Sequence, residues 1–128
     1  MSSPASLPVE IYESAQNGKL QTVVKWLRKG GVVNALSSTL ARNNRLTTSA
    51  LLHAASGFGH LEMVRMLLEQ SASVDLQTSF GGTALMAAAR YGHPFTLLVL
   101  LQHSANPDLQ DIGGGTALMR AAFEGKEA

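Results

Sequence analysis

Four tracts of this chain can be laid over one another, and three of them keep a step of 33 residues. Gly59, Gly92 and Gly125 coincide at that step, as do Leu52, Leu85 and Leu118, then Ala55, Ala88 and Ala121, and then Asp75 with Asp108. The longest match sets Gly81-Gly82-Thr83-Ala84-Leu85-Met86 against Gly114-Gly115-Thr116-Ala117-Leu118-Met119. A unit this short cannot bury its own apolar face. It is stable when stacked on copies of itself, so the period predicts an all-α solenoid of helix-turn-helix repeats in which each unit touches its neighbours.

Composition narrows the function classes. With 128 residues and 45% hydrophobic content the chain can form one continuous core. The strongest apolar run, Leu97 to Leu101, is far short of the roughly 18 to 20 residues of a membrane span. The opening Met1-Ser2-Ser3-Pro4 has neither a charged leader nor an apolar signal region, and cysteine is absent. These features predict an intracellular protein, cytoplasmic or nuclear, without disulfide or thiolate chemistry. The net charge is +1, but residues 1–45 hold six basic and two acidic residues while the remainder holds four and seven. A basic end could steer an acidic lipid or nucleic acid. Lys25, Arg28 and Lys29 also read more simply as the charge complement of one helix C-terminus.

Within the units, alanine-rich stretches such as Ala50 to Ser56 let helices approach closely. Met63, Val64, Leu67 and Leu68 then form an amphipathic stripe. Leu67, Leu68, Leu100 and Leu101 are expected to be buried core. Pro94 falls where a second helix should start, a position in which its missing N–H costs nothing. Gly30 falls where the first unit must reverse through a left-handed residue, and Ser71 and Ser104 take that place in the next two. Thr78 to Gly82 and Asp111 to Gly115 read as tight turns at finger tips.

These residues resemble the ankyrin repeat. Thr83-Ala84-Leu85-Met86 with Ala88-Ala89, Gly92-His93, Leu100-Leu101 and Ser104-Ala105-Asn106-Pro107-Asp108 follows that family's T-P-L-H-x-A-A-x-x-G-H and later L-L-x-x-G-A pattern. The resemblance runs from Ile11 to Phe123. It departs where Leu51, Ala84 and Ala117 replace proline, where Met86 and Met119 replace the motif histidine kept as His53, and where Ala50 replaces threonine. The family's Thr–His brace is therefore complete in no unit. The implied organisation is one domain over 1–128, with about three and a half repeats at 8–34, 45–75, 78–108 and a partial 111–125.

The first unit carries polar Glu10 and Glu13 where small residues would stand, which suits an N-terminal cap. Its finger holds eight extra residues, so Ala35 to Ser49, rich in Ser, Thr and Asn, is expected to be an exposed mobile loop. In the last unit Leu118, Met119, Ala121 and Ala122 lead into no second helix, which predicts a piece of a longer array.

No catalytic or metal constellation stands out. His60 and His93 occupy one repeat position and should form a ladder rather than a converging ligand set. Gly113-Gly114-Gly115 lacks the following Lys-Ser/Thr of a phosphate loop. Basic residues interleaved with aromatics are missing, which argues against nucleic acid. No cofactor is implied.

In the ankyrin family, partners meet the finger tips and the exposed side of the first helices. Carried onto this sequence, those positions include Leu46, Phe58, Ser79, Phe80, Arg90, Tyr91, Ile112 and Phe123. Four of the chain's seven aromatics are among them, and aromatic residues around an Arg are what interface hot spots favour. The resemblance thus implies a non-enzymatic scaffold that binds a peptide or protein in a concave groove. It also admits the recognition domain of a larger enzyme, a ligase or kinase. Either form is expected to be a monomer or to self-associate through its uncapped C-terminal end.

Overall fold

The computed structural model describes residues 6–40 and 44–125. Helices come in pairs. The first pair is α1 (Val9–Gln16) and α2 (Leu20–Arg28), the second α3 (Leu51–Gly57) and α4 (Leu61–Glu69), and the third α5 (Ala84–Arg90) and α6 (Pro94–Gln102). A further helix, α7 (Ala117–Gly125), follows them. The first helices stack as α1 on α3, α3 on α5 and α5 on α7, while α2, α4 and α6 form an outer row. The result is the expected helical solenoid.

Small residues make the inner row possible. Ala15, Ala55 and Ala88 are completely buried at the seam, where any longer side chain would push neighbouring helices apart. Met63, Val64 and Leu67 from α4, with Thr96, Val99 and Leu100 from α6, close the core from the outer side. Thr83 caps α5 by accepting from the Met86 N–H at 3.2 Å. Ala50 has no such oxygen. There the buried His53 compensates: its Nδ1 accepts from the Ala50 N–H at 2.9 Å and its Nε2 donates to the Leu76 carbonyl at 2.7 Å.

The repeated histidines are staples between units. The Nε2 of His60 donates to the Gln16 carbonyl at 2.7 Å, and that of His93 to the Gly57 carbonyl at 2.9 Å. Each ring lies against a left-handed glycine of the preceding unit, Gly18 or Gly59, where a Cβ would come within 2.7 or 2.5 Å of the ring. Glycine is required there by contact as well as by φ. Ser71 and Ser104 adopt φ of 68° and 67° at the helix ends, the strained conformation expected of them.

Two expectations need correction. Leu101 is 39% exposed and Leu68 is half-buried, whereas Leu67 and Leu100 are fully buried. The reason is register. Leu27, their counterpart in α2, shares a cleft with Val24 of the same helix and with Met66 of α4 and its C-cap Gln70, so this position faces the next unit rather than the unit's own core. Leu68 has α6 beside it, and Leu101 has no outer helix following it among the described residues.

The other correction concerns 35–49, which is no structureless loop. Strands β1 (Ser37–Leu40) and β2 (Leu46–Ser49) pair antiparallel, with Thr39 opposite Thr47 and their hydroxyls 2.9 Å apart. β-branched threonine suits a pleated ribbon, and cross-strand hydroxyl pairs stabilise it. The hairpin is docked at both sides. Leu7 N–H donates to the Leu36 carbonyl, Ser49 Oγ bonds to the Tyr12 hydroxyl at 2.6 Å, and Ser79 N–H donates to the Thr48 carbonyl. The part of that expectation falling on 41–43 lies outside the described residues.

Candidate functional site

The fingers are built to one plan. Thr78 Oγ1 accepts from the N–H of Phe80 and of Gly82, and 33 residues later Asp111 Oδ1 accepts from Gly113 and Gly115 at 3.0 and 2.9 Å. Each turn closes with a left-handed glycine, Gly81 or Gly114. Side-chain acceptors that fold a turn onto themselves are what Thr and Asp supply. Neighbouring fingers are then tied by backbone: Ile112 N–H donates to the Phe80 carbonyl at 2.9 Å. The ladder continues at the finger bases, where Asn34 accepts from Ser73 N–H and Asp75 from Asn106 N–H, both at 2.8 Å.

Between the fingers at 78–82 and 111–115 and α5 lies a depression of about 270 Å³. Phe80 forms one wall from the finger. Met86, Ala87, Arg90 and Tyr91 line it from α5 and its C-cap, and Asp111 and Arg120 close the far side. Arg120 takes the register position held by Ala87, from which its guanidinium hydrogen-bonds Asp111 Oδ2. That bond, followed by the N–H of Gly115, holds the Asp111 carboxyl below the usual carboxylate range although its side chain is only 8% exposed. His53 also lines the depression; burial lowers its pKa, with the Leu76 hydrogen bond opposing part of that shift.

Of the eight residues expected from the sequence, Phe80, Arg90 and Tyr91 meet in this depression. The Arg90 guanidinium lies 5.3 Å from the Tyr91 ring centroid, and Arg45 lies at the same distance over half-buried Phe80. Leu46, Phe58, Ile112 and Phe123 are exposed apolar side chains outside it. Phe58 stacks on His60 with ring planes 10° apart. Ser79 is exposed, and its hydroxyl accepts from the Thr48 N–H at 3.0 Å, tying the hairpin at 37–49 to the finger at 78–82. Sequence reasoning passed over Asp111 and Arg120. The signal was present, since Asp111 stands 33 residues after the turn-forming Thr78 and Arg120 replaces a small residue.

Among the described residues no three His, Asp or Glu side chains group as metal ligands would, and no helix is long and apolar enough to cross a membrane. The fold and its lining therefore define a helical-repeat protein with a grooved surface. The chain matches the family model for ankyrin repeats in three copies over residues 11–111 and 51–128, and it belongs to the ankyrin-repeat family. Ankyrin repeats are general protein–protein interaction modules. No curated protein matches the chain at a significant level.

Proposed function

We propose that the chain is a non-enzymatic binding scaffold that engages a peptide or protein on its concave side, centred on Phe80, Arg90 and Tyr91. The supporting observation is the convergence of these three side chains, from a finger and from an inner helix, on one depression. Two aromatics and an Arg around a recess make the composition in which interface energy concentrates. Leu46, Phe58, Ser79, Ile112 and Phe123 form the surround of this surface. Tyr91→Ala should leave folding nearly intact, because the side chain is exposed, and should weaken binding of the natural partner by about 1 kcal/mol or more. A large fall in melting temperature would return Tyr91 to a structural role. The cysteine-free composition favours a reducing, intracellular compartment, which imaging of the tagged protein tests. Recognition within a larger ligase or kinase would use the same groove and is distinguished by assaying the natural full-length polypeptide for that activity.

A second reading concerns the other end of the array. Leu118 is 78% exposed where its counterpart Leu85 is 2% exposed, and Met119 of α7 and Leu98 and Leu101 of α6 are exposed as well. We propose that this face receives a further repeat, in the way α6 and α7 cover α5, so that residues 111–125 are the start of a unit rather than a cap.

A further inference from the structure

The depression carries an unbalanced charge. Asp111 is the carboxylate in its lining, and Asp111 is already engaged by the Arg120 guanidinium and by two backbone N–H groups. Arg90 belongs to neither ion pair found among the described residues, Glu62–Arg65 and Asp111–Arg120. Its guanidinium instead lies 5.3 Å from the Tyr91 ring centroid, a contact that leaves its charge unneutralised. The Tyr91 ring is itself backed by Gly57 of the preceding unit, 3.8 Å from where a Cβ would stand. A cation therefore flanks a recess lined by the apolar side chains of Met86 and Phe80.

The volume limits the occupant further. About 270 Å³ is below the range of roughly 300–1,000 Å³ typical of pockets that enclose a whole small ligand. It suits one leucine or aromatic side chain. Resting on the groove reading above, we propose that the partner is an acidic peptide segment. It inserts one leucine or aromatic side chain between Phe80 and Tyr91 and sets an adjacent Asp or Glu carboxylate on Arg90. Arg is the fitting receiver because its planar fork bonds a carboxylate in two places. Asp111 excludes the opposite arrangement, since a basic partner residue would have to compete with Arg120 for it.

The test is a selection of random displayed peptides on the full chain, followed by affinity measurements on a synthetic peptide from the enriched set. Enriched sequences should carry Asp or Glu within one or two positions of Leu, Phe, Tyr or Trp. Arg90→Ala should weaken the synthetic peptide about fivefold to tenfold and Arg90→Glu more, and affinity should fall with added salt. A peptide with Lys in place of its acidic residue should regain affinity for the Arg90→Glu variant. Enriched peptides without acidic residues, or indifference to Arg90→Glu while Tyr91→Ala still weakens binding, would overturn the acidic partner and leave the groove reading standing. Peptides unaffected by either variant, or a selection that yields none, would overturn both.

Discussion

Replacing Ser56 with alanine should make the protein more stable. Ser56 lies in α3 at the inner seam with no exposed surface, and its Oγ has no hydrogen-bond partner among the described residues. The positions in register with it are Ala15, Ala89 and Ala122, so the seam already accommodates a methyl group there. An unsatisfied buried hydroxyl costs about 1–3 kcal/mol, and alanine is the better helix former by a few tenths more. Against this stands the loss of one oxygen atom's packing, a fraction of that amount. The expected gain is about 1–2 kcal/mol, or several degrees in Tm for a chain of this size. Ser14 provides the control. It is also buried in an inner helix, but its Oγ donates to the Glu10 carbonyl at 2.7 Å, so Ser14→Ala removes a made bond and should give no gain. Urea unfolding at matched m-values reads both variants. A lower midpoint for Ser56→Ala would mean that the hydroxyl is satisfied, and the account of the seam as a surface for small apolar groups would be wrong.

Leu100→Ala, which empties a fully buried site, should cost about 2–5 kcal/mol, while Leu101→Ala should cost far less; equal losses would contradict the register in which position 101 faces outward. His53 gives a pH dependence. Its folded-state pKa is lowered below the ordinary 6.5, so the unfolded chain binds the proton first and stability should fall as pH drops through and below 6.5. His53→Met, matching Met86, should flatten that part of the urea midpoint profile, and an unchanged profile would refute the burial argument. Fusing a polar capping helix after residue 125 should raise Tm and slow amide exchange in α7; exchange in α7 already as slow as in α5 would show that this end needs no cover.

Why some elements were legible and others were not has a physical basis. Spacing alone located Gly30, Ser71 and Ser104 at left-handed helix ends and set His60 and His93 as a ladder, each ring bonding a carbonyl of the preceding unit. The hairpin at 37–49 was hidden because Ser and Thr signal turns by composition. Its pairing depends on Tyr12, Leu7 and Ser79, residues brought near by the stack. Leu101 misled for a related reason: a leucine repeated in register says that the position is apolar, not which neighbour covers it. Phe80, Arg90 and Tyr91 could be named from the repeat. That Asp111 cancels Arg120 and leaves Arg90 as the charged member required the folded finger.

The central claim, that the concave depression is where a partner binds, is tested most directly by mapping backbone amide shifts of the labelled chain during titration with a selected peptide. Shifts should concentrate at 78–82, 86–91 and 111–120. Shifts concentrated on the outer helices α2, α4 and α6, with the depression silent, would contradict it.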